Sequence, residues 1–123
     1  MHDPNFDQTR PIYLQLMEDI MSRAVRGELK PGDKIPSARD FAQEKLVNPN
    51  TVVRAYQELE RVGFIQTRRG LGSFITEDYS RIQEAREDLA SQAIERLLQE
   101  LRKLGMDNQA IENLVQKKLE TSA

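Results

Sequence analysis

Apolar residues recur at helical spacing near the start of the chain. Ile12, Leu16, Ile20 and Ala24 fall on one line, Tyr13 and Met17 lie beside it, and Val25 closes the stripe. A helix is therefore predicted to start near Pro11, with Thr9 able to cap it, and to end at Gly27. The polar residues Met1 to Thr9 before it read as a loose end. Leu29-Lys30-Pro31-Gly32-Asp33 has turn chemistry, and Lys34-Ile35 is long enough for one edge pairing only. Ser37, with Asp40 three residues on, opens a second helix over Ala38 to Lys45 that buries Phe41 and Ala42. Leu46-Val47-Asn48 breaks it. Asn48 caps a third helix with Pro49 at its first position, and Val52, Ala55, Tyr56 and Leu59 form its buried stripe. Val62-Gly63 ends that helix. A hairpin follows: Phe64 to Arg69, a Gly70-Leu71-Gly72 tip, then Ser73 to Thr76, with Ile65 and Phe74 as the expected inward residues.

The character of the chain changes after Asp78. Tyr79 to Leu104 contains neither Gly nor Pro, and Ile82, Leu89, Ala93, Leu97, Leu101 and Leu104 recur at threes, fours and sevens, widened by Ile94 and Leu98. Gly105 stops this long helix. Asp107 or Asn108 caps a last one, with Ile111, Leu114, Val115 and Leu119 on one face. The expected fold is mostly α with a small β-hairpin wing. Residues 1–77 make a winged helix-turn-helix domain, and residues 78–123 make a two-helix C-terminal region.

A 26-residue helix is about 39 Å long at 1.5 Å per residue. One shorter partner helix cannot cover its stripe. Burying six Leu or Ile side chains would supply roughly 9–18 kcal/mol of gross driving force, so dimerisation through Ile82, Leu89, Ala93, Ile94, Leu97, Leu98, Leu101, Leu104, Ile111, Leu114 and Val115 is the expected solution. The alternative is packing back onto the first domain.

Composition narrows the chemistry. There is no Cys, and the only His is His2 in the polar start, which disfavours thiol, thiolate and imidazole chemistry. No phosphate-cradling glycine loop or paired carboxylates face an obvious cleft; Asp40 and Glu44 read as a solvated helix face. The chain is not expected to be an enzyme, and no metal or cofactor is expected. No apolar run approaches ~20 residues, so no membrane span is expected. Met1-His2-Asp3-Pro4 lacks a signal-peptide pattern, and the absence of Cys suits a cytoplasmic protein.

The net charge is −2, but its distribution is uneven. Between Lys34 and Gly72 stand seven basic residues (Lys34, Arg39, Lys45, Arg54, Arg61, Arg68, Arg69) and four acidic ones (Asp40, Glu44, Glu58, Glu60), a balance of +3 that leaves −5 for the rest. A basic face on an acidic body suits DNA. The major groove admits one α-helix, and residues near its N-terminus reach base edges. Here those are Asn50, Thr51 and Arg54; the alternative is that Asn50 and Thr51 only finish the cap. Arg39, in the first turn of the second helix, opposes the helix dipole, and a DNA contact would offset that cost; otherwise it pairs with Asp40 or Glu44. Ser37 begins the same helix, whose N–H groups can face a phosphate. Arg68 and Arg69 beside Gly70 and Gly72 suit a narrow minor groove, or else are a solvated pair at a bare turn.

The run from Pro11-Ile12-Tyr13 through Thr76, with "PSAR", "NPNTVVRAY" and "RRGLGSFI" in order, resembles the N-terminal domain of GntR-family bacterial transcription regulators over about 65 of the 123 residues. The resemblance implies a winged helix-turn-helix, and operator binding by Arg39, Asn50, Thr51, Arg54, Arg69, Gly70 and Gly72. Many members carry arginine where this chain has Pro49 and Val53, so base contacts made there do not carry over. The short tail resembles the YtrA-type branch, whose tails mainly dimerise and which is often associated with transporter operons and with antibiotic or envelope stress.

The expected function is sequence-specific transcription regulation, with a homodimer repressing at a near-palindromic operator of double-stranded DNA. An unidentified small-molecule effector could enter only at the dimer interface or a seam between domains. The competing readings are a non-specific architectural binder, which the net charge disfavours, and a protein-interaction module on a winged fold.

Overall fold

The structure, a computed structural model, describes residues 6–122. Its elements are α1 (Ile12–Val25), α2 (Ala38–Lys45), α3 (Pro49–Arg61), β1 (Ile65–Arg68), β2 (Gly72–Ile75), α4 (Tyr79–Lys103) and α5 (Asn108–Ser122). The fold class is as the sequence predicts: mostly helical, with one antiparallel hairpin after a helix-turn-helix. Among the described residues no helix is long and apolar enough to cross a membrane. His2 and the rest of 1–5 lie outside the described residues.

The chain divides into two compact units, the first ending at Glu87 and the second starting at Asp88. This lies ten residues beyond the 77/78 boundary suggested by composition. The reason is local: the opening turns of α4 bury Ile82 and Ala85 in the first unit's core, joined to Leu16, Ile20, Phe41, Val52, Leu59, Ile65 and Ile75. Ile82 was expected on a dimer face; at 3% exposure it is instead a core residue of its own chain. Each such side chain contributes about 1.5–3 kcal/mol of gross burial energy.

The start of α1 differs from expectation. Pro11 is the residue before the helix rather than its first, and no side chain caps it. The Thr9 hydroxyl donates to Asp7 Oδ1 at 2.6 Å instead. The approach is also tied down from Phe6 onward, because Gln15 reaches back. Its Oε1 accepts from Asp7 N at 2.7 Å, its Nε2 donates to the Asp7 and Arg10 carbonyls at 2.6 and 3.0 Å, and Arg10 pairs with Glu18. Phe6 packs on the core, so this stretch is not a loose tail.

The hairpin register corrects the second expectation. Ile65 pairs with Ile75, Gln66 with Phe74, Thr67 with Ser73 and Arg68 with Gly72. Cross-strand partners share a face. Ile65 and Ile75 therefore point inward together, each 1% exposed, while Phe74 lies on the other face with Gln66 and Arg68. Lys34 makes the expected single bridge, to Phe74. Thr76 N donates to the Phe64 carbonyl at 2.9 Å and Thr76 Oγ1 accepts from Asp78 N at 3.0 Å, tying the hairpin to the start of α4.

Candidate nucleic-acid interface

The α2–turn–α3 unit is built by caps and one left-handed residue. Ser37 Oγ accepts from Asp40 N at 3.1 Å and starts α2. Leu46, at φ 58°, reverses the chain, and Val47 N donates to the Ala42 carbonyl at 3.1 Å. Asn48 Oδ1 then accepts from Asn50 N at 2.8 Å, and Pro49 opens α3. The two helices are locked by Tyr56. Its ring stacks on Phe41 with centroids 6.1 Å apart, and its hydroxyl donates to the Pro36 carbonyl at 2.8 Å. Burial pushes the Tyr56 phenol well above its usual range, so it stays a donor at any physiological pH. A four-charge cluster braces α1 against α2: Arg23 contacts Asp19 and Glu44 at 2.7 and 2.6 Å, and Lys45 contacts Asp19 at 2.7 Å. Burial opposes charge on Arg23, but Glu44 and Asp19 outweigh it and raise its pKa.

With Val52, Ala55 and Leu59 turned into the core, α3 presents the opposite side to solvent. Asn50, Val53, Arg54 and Gln57 are exposed there, spaced by three, four and seven residues along one face. Thr51 is half-buried at the edge of that face. The expected residues Asn50 and Arg54 are thus brought together. Val53 and Gln57 complete the face and were not predicted as part of it, although Gln57 at seven residues from Asn50 follows from helical spacing alone.

Arg54 is not a free-swinging side chain. Its guanidinium carbon lies 3.8 Å from the Tyr13 ring centroid, stacked on α1. A stacked guanidinium keeps its in-plane N–H edges available for bidentate contact while losing rotational freedom. Nothing in the sequence could pair residues 41 positions apart. Replacing Tyr13 by Leu keeps an apolar side chain there but removes the ring. The expected result is DNA affinity about two- to fivefold weaker per site, matching about 0.5–1 kcal/mol of lost cation–π restraint, and a melting temperature within a few degrees of the parent. Parallel titrations and melts of Tyr13→Leu check this.

Arg39 is exposed in the first turn of α2 and pairs with neither Asp40 nor Glu44; Glu44 is taken by Arg23. At the hairpin, Arg68 lies over Phe74, 4.7 Å from its centroid, and Arg69 stands exposed in the three-residue tip closed by Leu71 N to the Arg68 carbonyl at 2.9 Å. Gly72 has φ 115° and sits under Lys34; a Cβ there would lie 2.7 Å from Lys34 Cε. Glycine at this position lets the Lys34 side chain pass over the tip end of the hairpin, where Gly72 pairs with Arg68.

Ion pairing sorts the basic residues. In the segment from Lys34 to Gly72, Lys45 and Arg61 are held by Asp19 and Glu58. Lys34, Arg39, Arg54, Arg68 and Arg69 have no carboxylate partner among the described residues. Within this segment the unpaired cations are therefore Lys34 and those on α2, the outer face of α3 and the wing.

In the second unit Ala93, Ile94, Leu97, Leu104 and Leu114 are exposed, Leu98, Leu101 and Val115 are half-buried, and Ile111 is buried. Leu89, also half-buried, lies at the start of this stretch. Gly105 ends α4 and Asp107 caps α5 through Ala110 N at 2.9 Å.

A family model described as "Bacterial regulatory proteins, gntR family" matches residues 8–75. The chain is 43% identical over 104 residues to an HTH-type transcriptional regulator, YhcF, of Bacillus subtilis, covering 85% of this chain and 86% of that one. It is 48% identical over 68 residues to the HTH-type transcriptional repressor YtrA of the same organism, covering 55% of this chain and 52% of YtrA. Among solved structures, a GntR family transcriptional regulator from Listeria monocytogenes superposes with a TM-score of 0.78 at 41% identity, over 91% of this chain and 98% of that one.

Proposed function

The chain belongs to the GntR family of bacterial regulatory proteins, and from that premise we propose that it acts as a homodimeric repressor at a near-palindromic operator. Sequence-specific DNA binding in transcription regulation is the family's activity, and the chain is a regulator rather than an enzyme. The observation that carries the finer reading is the set of unpaired cations on one helix-turn-helix and its wing. In this reading α3 enters the major groove with Asn50 and Arg54 toward base edges. Thr51, Ser37 and the N-terminus of α2, with Arg39, hold the backbone. Arg68 and Arg69 at the Gly70–Gly72 tip follow the adjacent minor groove.

Dimerisation is supported by the second unit, which leaves Ile94 and Leu97 of α4 56% and 45% exposed, with Leu104, just past the helix end, 75% exposed. Large side chains clustered this way mark an interaction face rather than scattered surface residues. Repression is supported by likeness to the repressor YtrA. A transporter or stress operon as target rests on the YtrA-type resemblance alone, and a cytoplasmic location on the lack of Cys in the sequence.

Titration of the full chain with DNA from upstream of its own coding region, against bulk genomic competitor and across salt concentrations, tests this. Selective binding whose log affinity falls linearly with log salt is expected. Equal binding to bulk DNA would support an architectural role, and no binding a protein-interaction role.

A further inference from the structure

Val53 is an anomaly on α3. It is 40% exposed in mid-helix, where a β-branched residue is a weaker helix former than alanine and here gains no place in the core. A local choice that disagrees with its surroundings and brings no packing is expected where a site needs it. Its neighbours on the same face are Asn50, Arg54 and Gln57, all exposed and all able to hydrogen-bond base edges. A protein partner would be met by a broad apolar patch, whereas on α3 Val53 is joined only by exposed Pro49 one turn before it, and is otherwise framed by hydrogen-bonding side chains. The major-groove edge of DNA offers one apolar group, the 5-methyl of thymine, set beside donors and acceptors.

We propose that Val53 reads a thymine 5-methyl group, so that each operator half-site carries a thymine next to the bases contacted by Asn50 and Arg54. This rests on α3 being the DNA-reading helix. It makes Val53 a specificity-determining residue, in addition to the hydrogen-bonding residues of the same face.

The test uses the full chain and the duplex recovered by selecting random-sequence DNA on it. Each thymine of one half-site is replaced in turn by deoxyuridine, which pairs identically but lacks the methyl. Wild-type affinity should fall about fourfold at one thymine, the worth of one buried methyl group, and little at the others. Val53→Ala should bind the thymine and uracil duplexes equally, about as weakly as the wild type binds a duplex with that deoxyuridine in both half-sites. Because Val53 is exposed and alanine favours helix, this variant should melt like the parent. A half-site with no methyl-dependent thymine overturns the assignment, as does methyl dependence that survives in Val53→Ala. If Arg54→Ala loses affinity for the same duplex, the DNA-reading role of α3 stands while Val53 alone fails. If no sequence is enriched by the wild type, that role falls, and this inference with it.

Discussion

Arg54→Ala should weaken operator binding by at least about thirtyfold. A bidentate arginine–guanine pair is worth about 1–3 kcal/mol of discrimination, and a dimer makes it twice, for roughly 2–6 kcal/mol in all. The fold should barely respond. Arg54 is exposed, pairs with no carboxylate, and contributes to stability mainly through its stack on Tyr13 at 3.8 Å, worth about 0.5–1 kcal/mol. Arg39 gives a sharper contrast. It sits in the first turn of α2, against the helix dipole and without an ion-pair partner, so Arg39→Ala should raise stability by about 0.3–1 kcal/mol while lowering DNA affinity. Opposite signs in a melt and a binding titration are hard to obtain from a residue that only supports the fold. A parallel loss of both would place Arg39 in the structure instead of at the DNA.

The second large effect is expected from Leu97→Glu. Leu97 is 45% exposed on α4 and shares its stripe with Ile94 and Leu101, which Leu104 follows just past the helix end. Glutamate is a good helix former, so the protomer should keep its helicity. At a two-fold interface the change occurs twice, removing about 1.5–3 kcal/mol of apolar burial per copy and leaving a carboxylate where it would have to be desolvated. Sedimentation should report a monomer at micromolar concentration. Operator affinity should fall by about 10²- to 10⁴-fold, the advantage of delivering the second recognition helix at high effective concentration. A variant that still sediments as a dimer, or a monomer that binds the operator as the parent does, would remove the role given to this face.

Apart from Thr9 and Pro11 at α1, the residues that stop or start helices were legible from sequence because their chemistry is local. Ser37 and Asn48 cap through their own side chains, Pro49 fits the first turn, and Gly63 and Gly105 take positive φ at helix ends. The hairpin arms were legible, but their facing was not. Both carry adjacent apolar pairs, Phe64-Ile65 and Phe74-Ile75, so alternation alone leaves two choices. The three-residue tip selects the register that sends Ile75 inward. Apolar spacing on α4 likewise showed a stripe without saying what covers each turn, and Ile82 proved to belong to the core of its own chain. At the DNA-facing surface the residue types that bind DNA could be named in advance. Their tertiary supports could not: Tyr13 under Arg54, Phe74 under Arg68 and Lys34 over Gly72 are contacts between distant positions.

Selection of random-sequence duplexes on the purified full chain, followed by sequencing of the bound DNA, tests the central claim most directly. Two copies of α3 brought together by the second unit should enrich an inverted repeat whose half-sites are centred about 34–36 Å apart, one turn of the double helix. Recovery of a single asymmetric half-site, or of no preferred sequence, would contradict it.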